Sequence, residues 1–478
     1  MSPLVDAPAG RGLISLAPTT AFWFADSRRA ILSNTYLPLD TARDERDRTE
    51  RTQAAALAMV DLSTHYVQPV THITQSKFGG KEWYRVSDFL WDEAKSQITL
   101  TYAGTGDNAG VPPPETYGLK SEKWVKIALP NLQPSGNSDS DIELTVYQDL
   151  NQPPVLSGRS PGSESASILW DPNSQLADLS MGKTSLYRWQ DKDGNSWSGL
   201  LALPRNYDSK VRYPLVIQTH GYEAGRFFVD GKYTTGSGGM ALVAKGIVVL
   251  QMDMSMTNFG TSRDGSFAIA GFESAIEDLA VTGRVDRQRV GVIGFSYTCF
   301  HVLYALTRRP DLFAAASVTD GNNMSYVQYI MSTDTQNGFQ VSGLQAMSEN
   351  TNGGPPFGKG LSTWFQSAPN FNLDKVKAPL LVSSFETGEL IAQWETYSGM
   401  RRLEKPVDML WWRKENTPHI LVQPAQRYAS QQSSVDWFTY WLKGEEDAGP
   451  TKAEQYTRWR KLRELQAKAQ KAPGQETN

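Results

Sequence analysis

A serine hydroxyl becomes a useful nucleophile when a strained turn presents it and an imidazole can take its proton. Gly-x-Ser triplets end at Ser138, Ser160, Ser196, Ser262, Ser296 and Ser362, so the triplet alone selects nothing. Only Gly294-Phe-Ser296 follows an apolar run, Arg289-Val-Gly-Val-Ile293, and opens a helix-capable one, Cys299-Phe-His-Val-Leu-Tyr-Ala-Leu306. A strand, a sharp turn and a helix form a nucleophile elbow, in which a small residue at 294 permits the turn and the serine stands above a sheet. The second glycine usual in such elbows is missing, because position 298 is Thr.

The histidines are few: 65, 72, 220, 301 and 419. His65 and His72 fall in a β-rich region, His301 in the helix after the elbow as a packing residue, and His220 ahead of the nucleophile. The order nucleophile, acid, base leaves His419, in the polar loop Lys414-Glu-Asn-Thr-Pro-His419, as the general base. The acid that orients it is expected after the strand Pro379-Leu-Leu-Val-Ser-Ser384, where no Asp occurs and Glu386 or Glu389 must serve. Backbone N–H donors for an oxyanion are expected at Tyr297, after the nucleophile, and in the glycine-bearing loop His220-Gly221-Tyr222. Asp191 and Asp193 lack the closing acid of a calcium loop and read as a turn. Gly236-Ser-Gly-Gly239 lacks the Lys-Ser/Thr of a phosphate loop and reads as a flexible connection.

The elements that must hold these residues fall into two grammars. Short strand-like runs such as Ala30–Leu37, Ala56–Leu62, Ile98–Tyr102, Trp124–Ala128 and Ile142–Tyr147 make residues 1–180 an all-β region, a sandwich or propeller blades. Residues 151–180, rich in Pro, Ser and Gly, read as a linker. From 181 to 445, buried strands alternate with helices, the pattern of a mostly parallel sheet covered on both faces and hence of an α/β domain. Residues 446–478 read as a charged helix around Tyr456–Ala469 and a tail.

Composition narrows the class. A net charge of −4 gives no nucleic-acid footprint, and no apolar run is long enough to span a bilayer. Cys299, the single cysteine, excludes an intrachain disulfide and a cysteine-based metal site. The start shows no signal-peptide pattern, which leaves a cytoplasmic or periplasmic setting open, and nothing in the pattern calls for a metal or a cofactor.

The order Tyr213-Pro-Leu-Val-Ile-Gln-Thr-His-Gly221, Gly294-Phe-Ser-Tyr297, Ser367-Ala-Pro-Asn370 with Ala378-Pro-Leu-Leu-Val382, then His419, resembles the peptidase domain of the prolyl oligopeptidase family over about residues 183–445. The resemblance implies an α/β-hydrolase domain behind a β-propeller. It also implies that residues 1–180 are the last blades of a propeller whose first part is missing. The family pattern places its acid beside Glu389 and so favours it over Glu386. The Glu acid and Thr298, with Ser33–Leu39, His220–Tyr222, Met252–Gly260 and Thr319–Tyr326, resemble the lasso peptide isopeptidase branch. That branch implies cleavage of the bond joining a peptide's N-terminal amine to an Asp or Glu side chain. An exo- or oligopeptidase for linear peptides, and an inactive peptide-binding remnant, are the competing readings. Asn322, Asn323 and Tyr326, in a stretch rich in Asn, Gln and aromatics, are the candidate substrate contacts.

Overall fold

The structure is a computed structural model. It describes residues 21–471 apart from short stretches, the longest being 73–82, 106–112, 129–142 and 333–343. The chain forms two compact units, Met1–Ser140 and Asp141–Asn478. The division falls earlier than the expected boundary at 180. The reason is that the Pro- and Ser-rich stretch is built into the larger unit: Val155–Arg159 pairs with Glu143–Tyr147 on one side and with Ser167–Trp170 on the other in a three-stranded antiparallel sheet. The Asn151 side chain then ties that sheet to Thr184 through two hydrogen bonds, 2.9 and 3.0 Å.

The smaller unit holds two four-stranded antiparallel meanders, the sheet type from which propeller blades are made. One uses Ala21–Trp23, Arg29–Thr35, Ala55–Asp61 and Tyr66–His72; the other uses Trp83–Asp92, Gln97–Thr105, Glu115–Lys120 and Lys123–Ile127. Their alternating inward residues, among them Phe24, Ile31, Leu57, Ile98 and Leu100, form a shared core.

The larger unit is an eight-stranded, mostly parallel sheet. Its strands are β1 (Lys183–Gln190), β2 (Ser196–Leu203), β3 (Tyr213–Gln218), β4 (Val248–Met252), β5 (Val285–Phe295), β6 (Ala315–Thr319), β7 (Leu380–Ser384) and β8 (Val407–Trp411). Their spatial order is β1-β2-β4-β3-β5-β6-β7-β8, with β2 alone running opposite to the other seven. The β1–β2 turn is closed by Asp191, whose carboxylate accepts from the N–H groups of Asp193 and Asn195 and from the Trp197 indole. The two acids there are turn chemistry, as the sequence suggests.

Both faces are covered. Helices α2 (Asp264–Val281) and α3 (Thr298–Arg308) bury Phe272, Ile276, Leu279, Val302 and Leu306 on one face. Helix α1 (Gly239–Ala244), α6 (Pro424–Lys443) and α7 (Ala453–Lys471) bury Leu242, Val435, Phe438 and Trp459 on the other. Between them in the chain lie α4 (Tyr326–Met331) and α5 (Thr387–Arg402). The charged C-terminal segment is thus more than a surface helix. Trp459 is 1% exposed and its indole N–H donates to Asp408 on β8 at 2.8 Å. Trp459→Ala should destabilise the larger unit by about 3–5 kcal/mol in urea unfolding, the usual cost of emptying a large aromatic site. A loss under about 1 kcal/mol would mean that α7 contributes little to this core.

Candidate active site

Strand β5 ends at Phe295 and α3 begins at Thr298, so the turn between them is Ser296-Tyr297. Ser296 has φ 54, a left-handed conformation that a side chain rarely adopts. Its neighbours explain why the strain persists. A Cβ on Gly294 would meet the Cys299 Cα and the Thr298 carbonyl at 3.0 Å. On Gly321 it would lie 2.3 Å from the Ser296 carbonyl oxygen. Without those side chains the loop after β6 closes on the turn, the Asn322 N–H donating to the Ser296 carbonyl (3.0 Å) and the Ser296 N–H to the Thr319 carbonyl (3.2 Å).

Thr298 stands where a glycine was expected, and the structure gives it a use. Its buried hydroxyl donates to the Phe295 carbonyl (2.7 Å), accepts from the Phe295 N–H (3.2 Å) and lies 2.5 Å from the Thr219 hydroxyl. The extra side chain therefore stitches the end of β5 to the end of β3.

His419 lies beside this turn with its ring stacked on Phe295, centroids 4.6 Å apart and planes 23° apart. Thr235 holds its backbone: the Thr235 hydroxyl donates to the His419 carbonyl (3.2 Å) and accepts from the Leu421 N–H (3.0 Å). The segment after Thr235, expected to be a flexible connection, is packed. Gly236 lies where a Cβ would meet the Thr319 hydroxyl at 2.8 Å, and the Ser237 carbonyl accepts from Gln218 at 2.7 Å.

The carboxylate on the imidazole is Asp320, and this corrects the expectation of Glu389. His419 Nδ1 lies 2.8 Å from Asp320 Oδ2, and Asp320 Oδ1 accepts from the Phe385 N–H at 3.0 Å. Asp320 caps the C-terminal end of β6 with φ 44, and its side chain is 2% exposed. Glu389 instead occupies the first turn of α5, where the helix N-terminus favours a carboxylate. Glu386 lies outside the described residues, as does His65. The carboxylate thus follows β6, one strand earlier than expected; its signal in the sequence is Thr319-Asp-Gly321, an acid and a glycine immediately after a buried strand.

Of the expected oxyanion donors, Tyr297 and Tyr222 have backbone N–H groups with no acceptor among the described residues. Gly221 does not offer its own, which donates to the Met252 carbonyl at 3.1 Å. His220 and Gly221 are consecutive residues at positive φ, 80 and 89, which bend the loop after β3. The Tyr222 hydroxyl is 3.1 Å from Ser198 Oγ. Of the expected substrate contacts, Asn323 is not one: it is fully buried, accepts from Gln393 (3.1 Å) and reaches the Ala392 carbonyl (3.3 Å) and Thr396 hydroxyl (3.1 Å), bracing the loop against α5. Asn322 is half-buried and caps the Met324 N–H (3.0 Å), while half-buried Tyr326 sits edge-on to Phe357.

A nucleophile-type elbow on a doubly covered sheet of this strand order defines an α/β hydrolase. Residues 257–445 match the prolyl oligopeptidase family. The chain is 28% identical over 322 residues to the lasso peptide isopeptidase AtxE2 of Asticcacaulis excentricus, a match covering 63% of this chain and 44% of the relative's length. It thus spans less than half of the curated relative that it matches. Among solved structures, AtxE2 isopeptidase with Astexin3-dC4 bound is similar at a TM-score of 0.57 and 19% identity, over 97% of this chain and 80% of that one. The acylaminoacyl peptidase of Pyrococcus horikoshii is similar at 0.50 and 18% identity, over 92% and 66%. Both likenesses are of fold.

Burial, with the nearby His419, holds the His220 imidazole down at about 4, against 6.5 in the open. Between those values the unfolded chain binds the extra proton and the folded chain does not, so folding stability falls as pH drops from 6.5 towards 4. His220 alone should cost up to about 3 kcal/mol by the acid end. Thermal melts of wild type and His220→Gln between neutral and acid pH check this. The variant should lose less stability on acidification, and parallel pH dependences would contradict it.

Proposed function

We propose that this chain is a serine peptidase that opens the isopeptide bond of a threaded lasso peptide through an acyl-enzyme. The observation that carries the hydrolase reading is the Asp320–His419 hydrogen bond beside the strained Ser296 turn. Asp320 occupies Nδ1, so the imidazole keeps Nε2 for the Ser296 proton. Ser296 Oγ attacks the amide carbonyl carbon, and the oxygen that gains charge is met by the N–H groups of Tyr297 and Tyr222. His419 returns its proton to the departing amine, and the acyl group stays on Ser296. Water, deprotonated by His419, then attacks the ester and restores the serine. Asp320 steadies the imidazolium in both halves and keeps the ring in the tautomer that can accept.

The choice of an isopeptide rests on the similarity to the lasso peptide isopeptidase AtxE2 over 322 residues. In such a bond the acyl group is an Asp or Glu side chain and the leaving amine is a peptide N-terminus. Cleavage adds one water and leaves every α-peptide bond intact. Mass spectrometry after incubation with a threaded lasso peptide should show that single water gain, absent for Ser296→Ala. Hydrolysis confined to short linear peptides would reject the isopeptidase reading and leave an exo- or oligopeptidase.

The acid is tested separately. Asp320→Asn should lower kcat by about 10⁴-fold, the effect of giving a catalytic imidazole the wrong tautomer. Glu389→Gln should stay within a few fold of wild type. The reverse pattern would return the role to Glu389.

A further inference from the structure

Next to the elbow lies a second buried carboxylate–imidazole pair that the mechanism above does not use. Asp264 opens α2 and is 3% exposed. Its Oδ1 is 2.8 Å from His301 Nε2, and its Oδ2 accepts from the Gly260 N–H at 2.9 Å and from the Tyr297 hydroxyl in a short hydrogen bond. His301 and Tyr297 are 5% and 8% exposed. They are four residues apart at the start of α3, so both project from one face onto the N-terminus of α2. The Gly260 N–H also lies 3.2 Å from the Tyr297 hydroxyl, and the Phe259 ring packs on the Tyr297 ring with centroids 4.3 Å apart. Burial alone would raise the Asp264 carboxyl. The bonds from His301, Tyr297 and Gly260 outweigh it and hold the group below the ordinary carboxylate value, so the cluster contains a buried anion.

Burying an anion is costly unless every oxygen is satisfied, and one of the donors that satisfy Asp264, the Tyr297 hydroxyl, belongs to a residue whose backbone N–H is an oxyanion donor in the mechanism above. The peptide unit between Ser296 and Tyr297 carries the Ser296 carbonyl on one edge and the Tyr297 N–H on the other. The carbonyl edge is pinned by the N–H groups of Asn322 (3.0 Å) and Cys299 (3.1 Å). Those bonds set which way the opposite N–H points. The Tyr297 ring, locked to Asp264, then fixes the position of the Tyr297 Cα.

Resting on the hydrolase reading above, we propose that Asp264, His301 and Tyr297 form a positioning cluster that holds the Tyr297 N–H in line for the oxyanion. The Tyr297 side chain links the chemistry to the loop between β4 and α2, and His301 supplies the N–H that orients Asp264.

The test uses the full chain and a fluorophosphonate probe, whose phosphonyl oxygen occupies the oxyanion position, so no natural substrate is needed. Labelling of wild type that vanishes in Ser296→Ala establishes the nucleophile independently; unlabelled, folded wild type would overturn the hydrolase reading and this one with it. Given labelling, Tyr297→Phe and Asp264→Asn should slow it about tenfold, a fraction of the 10²- to 10³-fold cost of deleting a donor outright. His301→Gln, which can still donate to Asp264, should stay within about threefold, while His301→Leu should match Tyr297→Phe. Melting temperatures report folding, and rates are compared on folded protein only. Tyr297→Phe removes one oxygen and serves if Asp264→Asn fails to fold. Wild-type labelling by folded Tyr297→Phe would overturn the proposal, as would His301→Gln and His301→Leu behaving alike, the mark of a packing role.

Discussion

A left-handed serine between a strand and a helix is the constraint around which the larger unit is arranged. Ser296 at φ 54 sits at a cost of order 1–3 kcal/mol, which the surroundings must offset. They do so by removing side chains where the chain must pass closely, at Gly294 and Gly321, and by adding one, Thr298, where a hydroxyl can satisfy the end of β5. The same close approach brings the loop after β6 against the turn, and with it Asp320. The strain and the placement of the acid are therefore one structural fact.

Charge near that turn is handled by enclosure. Asp320 has each oxygen committed, one to His419 and one to the Phe385 N–H. Asp264 has both oxygens filled by a backbone N–H, a phenol and an imidazole. An ionised carboxylate can persist in such surroundings only when its donors are fixed in advance, and fixed donors are what an oxyanion site requires. His220, in contrast, is held neutral by burial and so adds no charge beside His419.

Much of this was legible from the chain. The β/α alternation after 181, the elbow at Ser296 and the isolation of His419 follow from local patterns that the sheet reproduces. What failed to show had non-local causes. Residues 151–180 look like a linker because Pro, Ser and Gly dominate, yet Val155–Arg159 is a central strand whose neighbours come from Glu143–Tyr147 and Ser167–Trp170. The charged tail hides Trp459, whose indole is bonded to Asp408 on β8, 51 residues earlier. The pattern of the chain points to an acid after β7, whereas the partner of an imidazole is set by which loop end reaches it in space. Asp320 and His419 are 99 positions apart, a separation no spacing rule measures. Likewise His301 read as packing, since Asp264 lies 37 residues before it.

The most direct examination is a crystal structure of the fluorophosphonate adduct. The account predicts phosphorus bonded to Ser296 Oγ, the phosphonyl oxygen within hydrogen-bond distance of the Tyr297 and Tyr222 N–H groups, and His419 Nδ1 on Asp320. An adduct with its oxygen turned away from those two groups, or an imidazole held by Glu389, would contradict it.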